Sequence, residues 1–298
     1  MSSCAKPQND KKGFGEKMFK IASKKEIGPN LKSFEIEAPE VAKNAKAGQF
    51  IMFRIDERGE RVPLTVAGVN SEKGLVRIIF QEAGKSTAAL GKLNAGDFIQ
   101  DFVGPLGHPT EIKKYGTVVA VAGGVGTAEV LPVIAALKAA GNKVIGIVGA
   151  RNKDLIILED ELKPVCDELL FATDDGTYGT KGLVTDVLKT VADRENIDIV
   201  YAIGPVPMMK AVSNLTKEKN IKTLVSLNPI MVDGTGMCGA CRVTVDGKTR
   251  FACVEGPEFD AHKVNWDELS SRLRLFKDSE KLSFDNFQHN PECKCHTK

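Results

Sequence analysis

The sequence predicts a β domain followed by an α/β domain, with a short cysteine-rich segment behind them. Three observations support this order. Short β-rich runs broken by turn residues fill positions 16 to 110, apolar strands alternate with helices from about 115 to 227, and glycine and cysteine become frequent after 228. A chain of 298 residues has room for two ordinary domains and a small appendage. We place the domain boundaries at 16–112, 113–227 and 228–275, with a polar C-terminal arm at 276–298.

In the β domain, six strands are predicted: FKIASKKEI, LKSFEIEAP, AGQFIMFRID, VPLTVAGVN, LVRIIFQEAG and FIQDFVG. Turn sequences such as Gly28-Pro29-Asn30 separate them. Strands at this spacing are typical of an antiparallel barrel or sandwich. One short helix, STAALGKL, is predicted before the last strand.

In the α/β domain, the predicted strands are TVVAVA, KVIGIVGA, ELLFATDD, DIVYAIGP and KTLVSLN. The first is a continuous apolar run, as expected for a strand buried on both faces of a parallel sheet. Its helix ends at Gly141, a suitable C′ residue. Alternation of strands and helices over this length predicts a doubly wound sheet.

The overall composition indicates a soluble globular protein. Hydrophobic residues make up 42% and charged residues 27% of the chain, and the net charge is +2. This balance argues against a nucleic-acid surface, and no apolar run approaches the ~18 residues that span a bilayer. The N-terminus lacks the apolar stretch of a secretory signal, and the seven cysteines are unevenly clustered. We therefore expect a cytoplasmic protein without nucleic-acid or membrane partners.

A glycine turn follows the first strand of the α/β domain and opens a helix. Glycines here let the backbone approach a ligand, and free N–H groups at a helix start attract a pyrophosphate. A tight strand–helix turn without a ligand is the alternative. A second opening, Gly-Pro, lies at the same sheet edge, where nucleotides bind. The candidate residues are Gly123, Gly124, Gly126, Thr127, Arg151, Asp175, Gly204, Pro205 and Met208.

The choice between NAD and NADP stays open at the level of the residues. No acidic residue follows the second strand to take a ribose 2′-hydroxyl. Arg151 could meet a 2′-phosphate, stack on adenine or lie in solvent.

Two polar stretches stand out in the β domain: RVPLT, with Arg61, Pro63, Leu64 and Thr65, and GKST, with Gly84, Lys85, Ser86 and Thr87. The second precedes the short helix, so its backbone N–H groups and hydroxyls could hold another pyrophosphate. An N-cap formed by Ser86 is the alternative. Arg61 taken alone is typical of a surface charge.

The C-terminal segment places Cys238, Cys241 and Cys253 within about twenty residues, across a hairpin with an Asp-Gly turn. Such metal sites usually have four ligands, and no fourth cysteine stands upstream. Zinc usually needs a second cysteine pair or histidines, and His262 is the only histidine nearby.

Two further alternatives concern the cysteines. Cys293 or Cys295 could supply a fourth ligand, or Cys238 and Cys241 could form a redox disulfide, although that pair does not open a helix within a βαβ unit. Cys166, in a predicted helical stretch, is interpreted as a small core residue.

The order of these motifs resembles the ferredoxin reductase superfamily. More narrowly, the chain is similar to the electron-transfer subunits of dihydroorotate dehydrogenase and of NADH-dependent reduced ferredoxin:NADP+ oxidoreductase, also described as sulfide dehydrogenase. The resemblance covers about residues 16–275, and MVDGTGMCGACRV is its most specific part. It implies a six-stranded antiparallel FAD-binding barrel, an NAD(H)-binding parallel-sheet domain, with NADP(H) not excluded, and a 2Fe–2S segment.

The resemblance also implies roles for the candidate residues. Thr65 is expected to hydrogen-bond the isoalloxazine near N5, as the catalytic residue, and residues 84–87 to cradle the FAD pyrophosphate. The glycine turn is expected to face the NAD(P) pyrophosphate, with Gly204 and Pro205 beside the nicotinamide. Two positions depart from the family pattern. The family arginine, aligned on Thr65, falls at Val62, and the cysteine common before Gly-Pro is Ile203.

The fourth cluster ligand is likewise implied by the resemblance. Dihydroorotate-linked subunits use four cysteines, whereas the ferredoxin:NADP+ branch uses an aspartate before the Cys-x-x-Cys pair. The chain has an aspartate in that region, so the expected ligands are Asp233, Cys238, Cys241 and Cys253.

The implied function is an electron-transfer flavoprotein subunit. Hydride passes between NAD(H) and FAD, and single electrons pass through the 2Fe–2S cluster to a larger FAD/4Fe–4S flavoprotein subunit, in a heterodimer or higher assembly. Electrons from NADPH are bifurcated there, so ferredoxin is reached indirectly. The alternatives are a dihydroorotate-linked subunit, a sulfide dehydrogenase or sulfur reductase subunit using NADP(H), and a flavin-and-nucleotide sensor without turnover.

Overall fold

The β domain of the computed structural model is built from short strands and two helices. The structure describes residues 18–289. The elements in this domain are β1 (Phe19–Gly28), β2 (Leu31–Glu37), α1 (Pro39–Asn44), β3 (Phe50–Arg54), β4 (Val62–Asn70), β5 (Leu75–Gln81), α2 (Lys85–Lys92), β6 (Phe98–Ile99) and β7 (Asp101–Leu106).

The sheet nearly closes into a barrel. Its strands follow the order β6-β1-β2-β5-β4-β3-β7, and all neighbouring pairs are antiparallel. Strands β6 and β7 are separated only by Gln100, yet they pair with opposite edges of the sheet, β1 and β3. The predicted sixth strand is therefore divided at Gln100, and its two parts join the edges. The predicted barrel is confirmed.

Aromatic and branched side chains fill the barrel. Phe34 and Phe80 meet edge to face, with ring centroids 5.1 Å apart, and Phe53 is also fully buried. Helix α2, which the sequence predicts, adds Leu90 to this core. Helix α1 was not predicted, because its six residues are too few to show a helical period, and burial of Val41 and its neighbour stabilises it.

The α/β domain contains β8 (Thr117–Gly123), α3 (Gly126–Ala139), β9 (Lys143–Ala150), α4 (Glu159–Leu162), β10 (Glu168–Thr173), β11 (Thr180–Lys181), α5 (Val184–Arg194), β12 (Ile199–Ile203), α6 (Val206–Glu218) and β13 (Thr223–Ser226). The strands from β8 to β13 pair in parallel in the order β11-β10-β9-β8-β12-β13. All the strands predicted for this domain are present. After β8 the strands are added first on one side, as β9 and β10, and then on the other, as β12 and β13. A crevice therefore opens between β8 and β12, beyond their carboxyl ends.

The C-terminal segment contains β14 (Arg242–Val245), β15 (Lys248–Phe251), α7 (Ala252–Glu255), β16 (Glu258–Asp260), α8 (Trp266–Arg272) and α9 (Lys277–His289). The predicted hairpin is β14–β15. Asp246 and Gly247 at its turn both have positive φ, 54° and 69°, as a type I′ turn requires. Strand β16 pairs antiparallel with β13 and attaches this segment to the edge of the parallel sheet.

The predicted C-terminal arm begins with helix α9, which the sequence did not indicate because its residues are mostly polar. The ammonium of Lys92 lies 4.1 Å from the ring centroid of Phe287, so the helix is attached to α2 of the barrel. Cys293 and Cys295 lie outside the described residues. Across residues 18–289, no helix combines the length and apolar character that crossing a membrane requires.

The barrel and the α/β domain pack directly against each other. Ala67 of β4 and Ile79 of β5 form a small apolar cluster with Ala128 of α3. On the surface, the two terminal guanidinium nitrogens of Arg77 donate to the carboxylate of Glu161, at 2.6 and 3.0 Å. These contacts place β4 beside the helix that follows the glycine turn.

Candidate functional site

A cavity of about 550 Å³ opens at the carboxyl edge of the parallel sheet. It lies at the crevice between β8 and β12, and the barrel closes one side of it with Leu31 and Gln81. The predicted residues that line it are Gly123, Gly124, Arg151, Pro205 and Met208. Its size and position suit a dinucleotide.

Two glycines of the turn have different roles: Gly124 leaves room for a ligand, and Gly126 allows close packing. Gly124 has φ +55°, and a Cβ there would meet nothing within 4 Å, so its backbone borders open space. A Cβ on Gly126 would instead lie 2.4 Å from the carbonyl oxygen of Ile203. Gly126 therefore lets α3 pack closely on β12 and does not line the cavity.

Two other predicted residues, Gly204 and Thr127, lie behind the cavity wall. A Cβ on Gly204 would lie 3.0 Å from the backbone nitrogen of Gly123, so the two glycines allow the β8 and β12 loops to meet. Thr127 is buried, and its hydroxyl oxygen has no hydrogen-bond partner among residues 18–289. Such a hydroxyl at a helix start is available to a ligand or a bound water.

The acidic residue of the cavity is Asp174, which the sequence analysis missed in favour of its neighbour. The carboxylate of Asp175 accepts hydrogen bonds from the backbone N–H and hydroxyl of Thr177, at 2.9 and 2.7 Å. These bonds lower the pKa of Asp175 and hold it in its own loop, while Asp174 lines the cavity. Adjacent residues at a strand end point in opposite directions, and the sequence does not show which one faces the ligand.

The two polar stretches of the barrel come together at one end of it. The hydroxyl of Ser86 donates to the carboxylate of Glu60 at 2.8 Å, which joins the residues before RVPLT to the start of α2. Ser86 is therefore not the N-cap. Thr87 closes the helix start instead, because its hydroxyl oxygen accepts from the backbone N–H groups of Ala83 and Gly84 at 3.1 and 3.2 Å.

The start of α2 fits a phosphate group. A Cβ on Gly84 would meet nothing within 4 Å, so the backbone there faces open space. The first turn of a helix presents unpaired N–H groups, and the exposed Lys85 adds a positive charge. Arg61 is exposed, and its guanidinium lies 3.8 Å from Asp101, whose closer partner is Arg54 at 2.6 Å.

The remaining residues of RVPLT lie half-buried on β4. Leu64 packs against the barrel core, and Pro63 is paired with Met52 of β3. Thr65 is paired with Phe50 of β3, and its hydroxyl acts to lower the pKa of Glu129 on α3.

Glu129 is a site residue that the sequence analysis missed. Part of the residue is accessible, but the surrounding protein desolvates its carboxylate and raises its pKa to about 7. Thr65 acts in the opposite direction and favours the ionised form. Only the crossing of α3 over β4 brings these residues together.

The predicted cluster ligands gather around one loop. The Sγ atoms of Cys241 and Cys253 are 3.2 Å apart and buried, while Cys238 is exposed. Asp233 accepts a hydrogen bond from the backbone N–H of Cys238 at 2.9 Å and one from Thr235 at 2.8 Å, which lowers its pKa. Three sulfurs and a carboxylate oxygen fit an iron–sulfur cluster. Within residues 18–289, no three such side chains already surround a metal position.

This cluster loop lies on the barrel. Gly234 has φ +77°, and a Cβ there would be 2.7 Å from Cγ of Met52 and 2.9 Å from Leu106. Met52 is the strand partner of Pro63 in RVPLT. The cluster loop and the RVPLT stretch are therefore separated by a single strand.

The alternative metal and disulfide sites find little support among the described residues. Nε2 of His262 lies 3.0 Å from the hydroxyl of Thr216, so a hydroxyl engages the ring that a zinc site would need. Cys238 and Cys241 form no disulfide, and the nearest sulfur to Cys241 is that of Cys253. Cys166 is half-buried among apolar residues, and this burial raises its pKa to about 11.

Family comparisons match both ends of this arrangement. The family described as oxidoreductase FAD-binding domain matches residues 18–110. The iron–sulfur cluster binding domain of dihydroorotate dehydrogenase B matches residues 228–265. A Thermotoga maritima protein named as a homolog of the electron transfer subunit of dihydroorotate dehydrogenase B is 48% identical over 92% of this chain and 96% of its own length.

The chain belongs to the dihydroorotate dehydrogenase B electron-transfer subunit family. A member from Desulforamulus reducens is 32% identical over 81% of this chain and 95% of its own length. A solved structure described as the NADH-dependent reduced ferredoxin-NADP oxidoreductase, in work on flavin-based electron bifurcation, is 47% identical. It covers 93% of this chain and 100% of its own, with a TM-score of 0.87.

More distant structures show the fold alone. Phthalate dioxygenase reductase is 18% identical, with a TM-score of 0.57 over 76% of this chain and 86% of its own. As a family member, the chain is an electron-transfer subunit of an oxidoreductase, with an FAD-binding and an iron–sulfur domain.

Proposed function

We propose that this subunit exchanges hydride between NAD(H) and FAD and passes single electrons through a 2Fe–2S cluster to a larger iron–sulfur flavoprotein subunit. FAD, when bound, converts between two-electron and one-electron transfer. This chemistry explains why one chain combines a nucleotide cavity with a cluster loop.

One observation carries the proposal: the FAD-binding barrel contacts both of the other sites. Leu31 and Gln81 of the barrel line the nucleotide cavity. The barrel also contacts the cluster loop: Met52 of β3 lies against Gly234 of that loop and is paired with Pro63 of β4. Electrons entering from the nucleotide side therefore reach the cluster loop through the barrel.

The residues of the chain divide the task. The open backbone at Gly84 and the first N–H groups of α2 would hold the FAD pyrophosphate, and Thr65 would meet the isoalloxazine. Gly124 would admit the nucleotide pyrophosphate. The predicted ligands Asp233, Cys238, Cys241 and Cys253 would hold the cluster.

We place the chain in the ferredoxin:NADP+ oxidoreductase branch, with NAD(H) as its nucleotide. Aspartate in place of a first cysteine and the similarity to the NADH-dependent enzyme at 47% identity support this choice. A dihydroorotate-linked subunit is the second candidate, favoured by the names of several relatives.

Two experiments test the proposal. Purified protein reconstituted with FAD and iron should reduce a dye with NADH. If neither NADH nor NADPH supports reduction of the dye, the proposed hydride exchange is wrong. Co-purification from the native host then separates the branches. A partner with its own FAD and 4Fe–4S clusters supports the first, whereas dihydroorotate-dependent reduction of the complex supports the second.

A further inference from the structure

We propose that Arg242 and Arg272 are positioning residues for the predicted iron–sulfur cluster: their guanidinium groups fix the peptide groups of the Cys-x-x-Cys loop and raise the reduction potential of the cluster. This loop is the Gly-Ala pair at 239–240, between the predicted ligands Cys238 and Cys241. The inference rests on the proposed function, in which these cysteines hold a 2Fe–2S cluster. Neither arginine was predicted as a site residue from the sequence.

The two arginines engage both carbonyl groups of the Cys-x-x-Cys loop. Nη1 of Arg242 donates to the carbonyl oxygen of Gly239 at 3.1 Å. Nη2 of Arg272 donates to the carbonyl oxygen of Ala240 at 3.0 Å. Each residue that separates the paired cysteines is therefore held through its carbonyl by a positively charged side chain.

One peptide group connects Arg242 to a predicted ligand. The peptide between Gly239 and Ala240 has its carbonyl on Arg242, and its N–H is directed at Sγ of Cys238, with the nitrogen 3.5 Å from the sulfur. This peptide is trans, so its carbonyl and its N–H point in opposite directions. A guanidinium group that holds the carbonyl therefore also keeps the N–H turned toward the sulfur.

Arg272 reaches the loop from a separate element, as the last residue of α8. Trp266 and Leu269 of this helix are buried in the same apolar core as Cys241, so helix packing places the guanidinium group against the loop. Arg272 is half-buried, whereas Arg242 is exposed at the start of β14. Because solvent and salt screen a half-buried charge less, Arg272 should have the larger electrostatic effect.

The protein does not neutralise either of these charges with a carboxylate. Within residues 18–289, neither Arg242 nor Arg272 forms an ion pair. The other arginine of the hairpin, Arg250 on β15, is paired instead with Glu255, whose Oε1 lies 2.7 Å from its Nη1. Arg250 therefore provides a matched control, since it is a charge on the same hairpin that does not contact the loop carbonyls.

The direction of the effect follows from electrostatics. An iron–sulfur cluster becomes more negative when it is reduced, so nearby positive charges and N–H groups directed at its sulfurs favour the reduced form. Arginine stays charged at any pH at which the protein is folded, so this contribution does not titrate. The added electron is the one that bound flavin supplies in the proposed function, and no covalent bond changes.

The first test measures the midpoint potential of the cluster by redox titration followed by EPR. It uses reconstituted wild type, Arg272→Gln, Arg272→Lys and Arg250→Gln. We expect Arg272→Gln to shift the potential to a more negative value, and Arg272→Lys, which keeps the charge, to shift it less. Arg250→Gln should stay closer to wild type. No shift in Arg272→Gln, or an equal shift in Arg250→Gln, would overturn the inference.

A second measurement concerns Arg242 and the N–H directed at Cys238. Pulsed EPR of the reduced cluster in H2O and in D2O detects exchangeable protons that are hydrogen-bonded to sulfur. Wild type should show such a coupling, and Arg242→Gln should weaken it. The backbone N–H of residue 242 also donates to the carbonyl of Gly239, at 3.3 Å, so this variant should keep the turn of the loop.

The outcomes separate this inference from the proposed function. A coupling in Arg242→Gln that equals that of wild type would contradict the positioning role of Arg242. If wild-type protein holds no 2Fe–2S cluster, the proposed function itself is wrong. A cluster that forms normally but has the same potential in wild type and Arg272→Gln leaves the proposed function in place and removes only the inference.

Discussion

The sulfur atoms of Cys241 and Cys253 lie 3.2 Å apart, although the residues are 12 positions apart in the chain. The hairpin explains this approach. Cys241 comes just before β14 and Cys253 just after β15, and the N–H of Ala252 donates to the carbonyl of Cys241 at 3.2 Å. The turn at Asp246 therefore brings together two predicted ligands that a longer loop would leave apart.

Replacing one of these sulfurs should remove the cluster. We expect Cys253→Ser to lose the visible absorption and EPR signal of the 2Fe–2S centre, because a neutral hydroxyl is a poor substitute for a thiolate on iron. FAD content should not change. Cys166→Ser, which alters the cysteine packed against Gly146, is the control and should keep the cluster signal. A normal iron content in Cys253→Ser would contradict the ligand assignment.

The carboxylate ligand has its own test. Asp233→Cys should keep a cluster but change its EPR spectrum and potential, because thiolate donates more charge to iron than carboxylate does. In the described structure both carboxylate oxygens also accept backbone N–H groups, so the loop conformation depends on Asp233. Asp233→Asn has the same shape but keeps only one of the two acceptor oxygens, and it is the control for loss of the carboxylate charge. A spectrum of Asp233→Cys identical to wild type would count against carboxylate ligation.

Two glycines of the nucleotide turn should give opposite phenotypes. Gly124 borders the cavity, so Gly124→Ala should raise the KM for NADH. Because the alanine must adopt a positive φ, we also expect a stability loss of about 1 kcal/mol. Gly126→Ala drives a Cβ to 2.4 Å from the Ile203 carbonyl and should lower the melting temperature much more. Steady-state kinetics and thermal denaturation of both variants check this. Equal losses of stability would show that the turn has been misinterpreted.

Asp174 should discriminate against NADPH. Its carboxylate in the cavity repels a 2′-phosphate, and ~1 kcal/mol of such repulsion corresponds to about a fivefold change in the ratio of kcat/KM for NADH and NADPH. We expect Asp174→Ala to shift this ratio toward NADPH. Asp175→Ala is the control, since Thr177 holds that carboxylate in its own loop. A shift toward NADPH in Asp175→Ala but not in Asp174→Ala would show that Asp175 is the residue that faces the nucleotide.

The raised pKa of Glu129 predicts a stability effect with a definite sign. Between about pH 4.5 and 7 the unfolded chain has lost this proton while the folded chain retains it, so stability falls as pH rises through this window. Glu129→Gln does not have the cost of ionising a desolvated carboxylate. Its free energy of unfolding relative to wild type should therefore be higher at pH 8 than at pH 5, by on the order of 1–3 kcal/mol.

Thermal denaturation of the FAD-loaded proteins at both pH values measures the Glu129 effect. Glu161→Gln is the control: Arg77 lowers the pKa of Glu161 in the folded state, so its contribution to stability is lost only below about pH 4.5, and the loss in this variant should be nearly the same at pH 5 and pH 8. This ion pair is partly exposed, so its effect should be smaller. A Glu129→Gln variant with the same pH dependence as wild type would contradict the raised pKa.

Local patterns were sufficient to predict most of the fold. The strands of both domains are marked by runs of branched and aromatic residues, and α2, α3 and the Asp246-Gly247 turn by their boundary residues. The division of the last barrel strand at Gln100 was not predictable, because it depends on which edges the two halves reach. Helix α9 was missed since its sequence lacks a strong apolar face.

The candidate site divides in the same way. Glycine turns, the RVPLT and GKST stretches and the cysteines are short-range signals, so the sequence alone marks them. Asp174 and Glu129 carry no local signature. Their positions depend on the direction of a strand end and on the crossing of α3 over β4.

By itself, the sequence determined the order of the domains, most of their strands and helices, and the cysteine-rich hairpin. Backbone preferences and apolar periodicity act over a few residues, so local sequence is enough to specify these features. Only the tertiary structure decided which acid lines the cavity, that the cluster loop lies on Met52, and that the carboxylate of Glu129 is desolvated. These relationships join residues far apart in the chain. Desolvation and side-chain contact between such residues arise only when the two domains pack together.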